Sequence, residues 1–173
     1  MKQQVSSSST FSNLGIAPSL LAMLAKLHYE TPTPIQEQAI PVAIQGKDIA
    51  GIAQTGTGKT LAFGIPMIQR IAALKGRGLV ILPTRELALQ VEEELRKIGG
   101  TLGLRTVVLI GGAALGPQIA ALAKNPHIII ATPGRLIDHL KQKNIKLDSV
   151  RIVVLDEADR MLDMGFAPQI EQI

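Results

Sequence analysis

Residues 53–60, AQTGTGKT, set Gly56 and Gly58 among three threonines and one lysine, between the apolar runs KDIAGI and LAFGIPMI. Glycines remove side-chain bulk and tolerate left-handed dihedrals, so the backbone amides of residues 55–60 can converge on an anion. A helix opening at this point would add its positive end to the same spot. Lys59 is then placed to neutralise the β- and γ-phosphates of a nucleotide, and the Thr60 hydroxyl to ligate Mg2+. The competing reading is an ordinary turn rich in small residues. The usual pattern begins with glycine, and here Ala53 holds that place.

A second stretch, VRIVVLDEAD, is an apolar run ending in the adjacent carboxylates Asp156 and Glu157. A carboxylate at a strand's end beside a phosphate loop can hold hydrated Mg2+, and the next can orient and deprotonate water. By itself the stretch also reads as an acidic helix start, since Asp and Glu favour the first turn. Paired with the loop, it points to nucleotide hydrolysis.

Both stretches need elements to position them. The β-branched, nearly all-apolar runs 47–53, 78–83, 105–111, 127–132 and 150–156 predict strands buried on both faces, as in a parallel sheet covered by helices. Helical spacing recurs between them, over KTLAFGIPMIQRIAAL, RELALQVEEELRKIG, LGPQIAALAKN and GRLIDHLKQKN, with Gly99, Gly100 and Asn144 where helices should end. Upstream, APSLLAMLAKL and TPIQEQAIPVAIQG predict two more helices, the second entered through Pro32 or Pro34 and closed by Gly46. Alternation without a repeat predicts an α/β open sheet, whose ligands bind at the carboxyl ends of the strands.

The bulk properties agree with one globular domain. The chain has 173 residues, 46% of them hydrophobic and only 2% aromatic, so aliphatic side chains must fill the core. Its net charge of +4 permits a polyanionic partner without requiring one. There is no cysteine, which excludes disulfides and thiolate-held metal, and His28, His127 and His139 lack ligand spacing. The start MKQQVSSSST has no apolar block of a secretion signal and reads as a solvated tail. No apolar run approaches the roughly 18 residues of a membrane span, so a cytoplasmic protein is the expectation.

With these motifs in place, the chain resembles the first RecA-like domain of DEAD-box RNA helicases over nearly all of residues 11–173. AQTGTGKT is similar to motif I, alanine included, and DEAD at 156–159 to motif II. HYETPTPIQ (28–36) resembles the Q motif, PTRELA (83–88) motif Ia, GG (111–112) the glycine doublet and TPGR (132–135) motif Ib. RMLDMGF (160–166) continues the match. His28 departs from it, standing where the family usually has glycine.

The resemblance implies a RecA-like P-loop fold, a mostly parallel sheet with helices on both faces. It implies a tail over 1–10, a Q-motif helical region over 11–46 and a partial ATP-binding domain over 47–173. ATP would be held by Phe11, Gln36, Ala53, Gln54, Thr55, Gly56, Thr57, Gly58, Lys59 and Thr60, with Gln36 on the adenine edge and Phe11 against the ring. Lys59, Asp156 and Glu157 would be the catalytic set, and Thr60 and Asp156 the Mg2+ ligands. RNA would be bound by Thr84, Arg85, Gly111, Gly112, Thr132, Gly134 and Arg135. These groups suit the sugar-phosphate backbone, so binding should be sequence-independent and salt-sensitive.

The family's motif III and second RecA-like domain, with its arginine finger, do not appear before Ile173, so the chain is expected to be a fragment of a monomeric enzyme. The motif III strand belongs between the strand of the phosphate loop and that of the DEAD carboxylates, so a gap or a shifted pairing is expected there. Two rivals remain open at this point. One is a binding module without turnover; the other is a small-molecule kinase, which would need an acceptor pocket and lid that the sequence does not display.

Overall fold

A computed structural model describes residues 10–54 and 56–173. The tail expected over 1–10 lies outside these residues except for Thr10, as does the loop's Thr55. Two compact units divide the chain between Arg70 and Ile71.

The first unit is helical. Phe11–Asn13 form a 3-10 turn, followed by α1 (Pro18–Lys26) and α2 (Pro34–Ile44), each with proline in its first turn, where no amide bond is lost. The long helix α3 (Lys59–Leu74) begins in this unit and ends in the next. Gln69 of α3 ties down the segment before α1, accepting from Ala17 N at 2.8 Å and donating to Gly15 O at 3.1 Å. Phe11, Leu14, Ile16, Leu20, Leu24 and Ile40 are buried.

The strand expected over 47–53 does not form: residues 47–54 have no regular structure, Ile49 is 44% exposed and Ile52 wholly exposed. Its composition is strand-like, but a strand needs a neighbour for its peptide groups, and no described strand pairs with it.

The second unit holds a four-stranded parallel sheet of order β2-β3-β1-β4, from β1 (Arg77–Ile81), β2 (Thr106–Leu109), β3 (Ile128–Ala131) and β4 (Val150–Leu155). Helices α4 (Arg85–Gly99), α5 (Leu115–Leu122), α6 (Pro133–Lys141), α7 (Ala158–Asp163) and α8 (Ala167–Gln172) connect and follow the strands. Leu79, Ile81, Val107, Leu109, Ile129 and Ala131 line one face and pack with Leu122 of α5, Leu136 of α6 and Met161 of α7. The other face receives α4, whose Glu92 Oε1 accepts from Thr106 Oγ1 at 2.7 Å. Helices therefore cover both faces, as the α/β expectation required. β1 and β3 are buried on both faces, but β4 is not: Val153 and Leu155 are 56% and 44% exposed, and only β1 pairs with it among the described residues. β4 is thus the edge strand of the sheet among the described residues.

Candidate functional site

The phosphate loop opens α3. Gly56 and Gly58 have φ of 80° and 85°, the left-handed region that favours glycine. Thr57 Oγ1 donates to Gln54 O at 2.6 Å, folding the loop back on itself. Lys59 and Thr60 are the first two residues of α3, whose first turn carries no acidic side chain to compete with an anion for its amides.

Gln36 is joined to this loop through α2. It is 3% exposed; its Oε1 accepts from Thr33 N at 2.9 Å and its Nε2 donates to Gly58 O at 3.1 Å. A Cβ on Gly58 would collide with the Gln36 amide and come within 3.3 Å of Thr33 Oγ1. Gly58 is thus required twice, for its φ and for the approach of Gln36. The sequence singled out both residues but not this contact, which joins positions 22 apart. Phe11 lies in the core of the same unit, 4% exposed.

In the second unit the strands end in register. Ile81, Ala131 and Leu155 are partners across β1, β3 and β4, and Leu109 pairs with Ala131. The residues singled out as RNA-binding, with Asp156 and Glu157, follow these four ends directly, so one pole of the sheet gathers them all. Thr84 caps α4, its Oγ1 accepting from Leu87 N at 3.3 Å. Arg85 Nη1 occupies the place where a Cβ on Gly112 would stand, and Gly112 has φ of 70°. Motif Ia and the glycine doublet therefore touch, although two strand positions separate β1 from β2. Thr132 precedes α6, with Thr132 N donating to Leu109 O at 3.0 Å. Arg135 Nη1 donates to Ala113 O at 2.8 Å, and its Nε is 3.7 Å from Asp138 Oδ2.

At the end of β4, Asp156 N donates to Ile81 O at 3.0 Å, extending the ladder by one residue. Glu157 then turns left-handed, with φ of 55° and ψ of 45°, and its amide donates to Asp156 Oδ1 at 3.1 Å. A left-handed glutamate costs roughly 1–2 kcal/mol against the ordinary helical region. It lets the chain pass from strand to α7 at one residue and presents two carboxylates at the strand end. Asp156 and Thr60 are hard oxygen donors, the chemistry that Mg2+ takes.

Comparison with known proteins agrees with these elements. The family model for DEAD/DEAH box helicases matches residues 33–173. Over 166 residues the chain is 52% identical to the DEAD-box ATP-dependent RNA helicase CshA of Bacillus cereus, covering 95% of this chain and 32% of that protein. It is 48% identical over 167 residues to the ATP-dependent rRNA helicase RRP3 of Gibberella zeae, covering 95% and 34%. The crystal structure of a hypothetical ATP-dependent RNA helicase from Sulfolobus tokodaii superposes with a TM-score of 0.82 at 37% identity, covering 88% of this chain and 44% of that one. The chain spans about a third of the length of the curated relatives it matches. The fold is that of a RecA-like helicase domain, and with the phosphate loop heading α3 and DEAD ending β4, the chain belongs to the DEAD/DEAH box helicase family.

Proposed function

We propose that this chain supplies the nucleotide-binding half of an ATP-dependent RNA helicase. The observation that carries the reading is the single pole of the sheet at which Thr84, Arg85, Gly111, Gly112, Thr132, Gly134 and Arg135 stand in one row with Asp156 and Glu157. Groups suited to a phosphate backbone therefore share strand ends with the carboxylates suited to hydrolysis.

In this reading the loop 53–60 binds ATP, Lys59 neutralises the β- and γ-phosphates, and Thr60 and Asp156 hold Mg2+. That ion, when bound, spreads the charge that develops on the transferred phosphoryl group. Glu157 takes the proton of the attacking water. Gln36 reads the adenine edge with a donor and an acceptor on one amide. Because that amide already holds Thr33 N and Gly58 O, adenine recognition and loop geometry are linked through one side chain. RNA lies on the loops by its backbone, without base readout. A second RecA-like domain, supplied by the rest of such an enzyme, contributes the arginine finger.

The test is a pair of titrations on the chain. A fluorescent ATP analogue with Mg2+ should be displaced by ATP better than by GTP. A labelled single-stranded oligoribonucleotide should bind with affinity that falls steeply as salt rises and is indifferent to base sequence. No displacement by ATP, or RNA binding insensitive to salt, would refute the reading.

A further inference from the structure

A chain of three polar side chains runs through the second unit from the turn after β2 to the end of α6. Gln118 of α5 is 6% exposed and His139 of α6 fully buried. Gln118 Nε2 donates to the turn's carbonyls, Ile110 O at 3.2 Å and Ala114 O at 3.2 Å, with Ala113 O at 3.5 Å. Its Oε1 faces His139 Nε2 at 3.2 Å, and His139 Nδ1 faces Asn144 Nδ2 at 3.3 Å.

The donors and acceptors leave one assignment. The Gln118 amide nitrogen is committed to carbonyls, so Oε1 is an acceptor and His139 Nε2 must carry the proton. Asn144 Nδ2 donates to Gln142 Oε1 at 3.3 Å and has its second hydrogen for His139 Nδ1, which is then an acceptor. The imidazole is neutral and held at both nitrogens. Burial, reinforced by the nearby Arg135 guanidinium and partly opposed by Asp138, lowers its pKa in keeping with that state.

We infer that Gln118 and His139 are positioning residues for the RNA strand, locking the glycine-doublet turn to α6 so that residues 111–112 and 132–135 hold one spacing. The inference rests on the RNA path proposed above. Arg135 makes a second tie between the same two elements through Ala113 O, but Arg135 is itself offered to RNA. Ile110, Ala113 and Ala114 take all their side-chain hydrogen bonds among the described residues from Gln118 and Arg135. When RNA recruits Arg135, Gln118 remains as the tie that keeps the turn in place. Its own orientation is fixed by His139, so a residue that never meets RNA sets where the strand's contacts lie.

Gln118→Glu tests the idea with little change of size. The carboxylate still accepts from His139 but cannot donate to the three carbonyls. Amide hydrogen exchange at residues 110–114 should quicken while amides of the core strands hold, and oligoribonucleotide affinity should fall roughly three- to tenfold with ATP-analogue affinity unchanged. His139→Leu should give the same loss, and His139→Gln, whose amide can donate to Gln118, should restore much of it. In the unaltered chain, 15N shifts should report the Nε2-protonated tautomer at neutral pH, a readout that survives even if the leucine variant fails to fold. Arg85→Ala separates the two readings. If Arg85→Ala weakens RNA binding while Gln118→Glu and His139→Leu change neither affinity nor exchange at 110–114, the positioning role is refuted and the RNA path stands. If Arg85→Ala also leaves RNA binding unchanged, the path itself fails and this inference falls with it. The Nδ1 tautomer would overturn the assignment directly.

Discussion

The two helices of the first unit that precede the phosphate loop end in the same turn, one built with glycine and one without. After α2, Gly46 N donates to Ala43 O at 3.0 Å and Lys47 N to Val42 O at 3.4 Å, with Gly46 at φ of 87°. After α1, His28 N donates to Ala25 O at 3.0 Å and Tyr29 N to Leu24 O at 2.9 Å, with His28 at φ of 60°. The second turn forces a residue with a Cβ into the left-handed region, at a cost of roughly 1–2 kcal/mol. His28 is exposed, and its imidazole makes no hydrogen bond or ion pair among the described residues, so its removal breaks no polar interaction among them. Glycine gives back about 0.4–1 kcal/mol through the greater freedom of the unfolded chain. His28→Gly should therefore stabilise the protein by roughly 0.5–1 kcal/mol. With a urea slope of about 2 kcal/mol per molar, the midpoint rises by about 0.3–0.5 M. Tyr29 is the chain's single tyrosine and there is no tryptophan, so tyrosine fluorescence reads this turn from the adjoining residue. Gly46→Ala should move the other way, because its φ is strained for any side chain and its Cβ would stand 2.6 Å from Arg70 Nη2. A midpoint for His28→Gly that stays level or falls, beside a destabilised Gly46→Ala, would refute the reasoning.

Gly58→Ala should weaken binding of an ATP analogue by about tenfold or more in a fluorescence titration, since it strains the loop by roughly 1–2 kcal/mol and displaces the Gln36 amide. Glu157→Gln, assayed in the longer enzyme of which this chain would be part, should bind Mg-ATP normally yet turn over about 10²–10⁴-fold more slowly in a phosphate-release assay, the worth of a general base. Stability should fall on acidification below about pH 6.5, the ordinary histidine pKa. His127 and His139 are both held below it, chiefly by burial, with Arg105 and Arg77 acting on the first and Arg135 on the second. A depressed histidine binds fewer protons folded than unfolded, so its contribution is complete above the unfolded pKa and is lost as pH drops toward the folded one. Urea midpoints between pH 7.5 and 5 check this, and Gln substitution of either residue should flatten the slope.

Much of the site was legible because its signals are local. α3 and α4 match the helices read from the sequence residue for residue, since apolar spacing and the glycines at 99–100 act within one turn of the chain. The segment 47–53 was misread for the opposite reason: its isoleucines and alanines resemble those of a strand, but pairing depends on a neighbour that a window of residues does not show. α7 was foreshadowed only by the acidic helix start at DEAD and α8 was not read at all, although Met161 of α7 is fully buried against the sheet. The left-handed His28 had only the resemblance to announce it, as a position where glycine is usual. Gln118 and His139 lay 21 residues apart and of types common on surfaces. The available clue was position: Gln118 shares the inward stripe of α5 with Leu122, and His139 that of α6 with Leu136.

Space and sequence order the strand-end loops differently. Across the sheet they stand as 111–112, 132–135, 84–85 and 156–157, following β2, β3, β1 and β4. Along the chain, 84–85 comes first. The contact of Arg85 with Gly112 therefore crosses the end of β3, a reach of two strand spacings or about 9–10 Å. On the RNA path proposed above, a photoreactive group moved stepwise along a bound strand would label 111–112, 132–135 and 84–85 in that spatial order, a permutation of their numbering. Insertions are constrained in the same way. The loop opening at Thr132 is hemmed in by a clasp between the loops of β1 and β2, so it is the one least able to lengthen, whereas the turn leading from β4 into α7 follows a strand that, among the described residues, pairs on one side only.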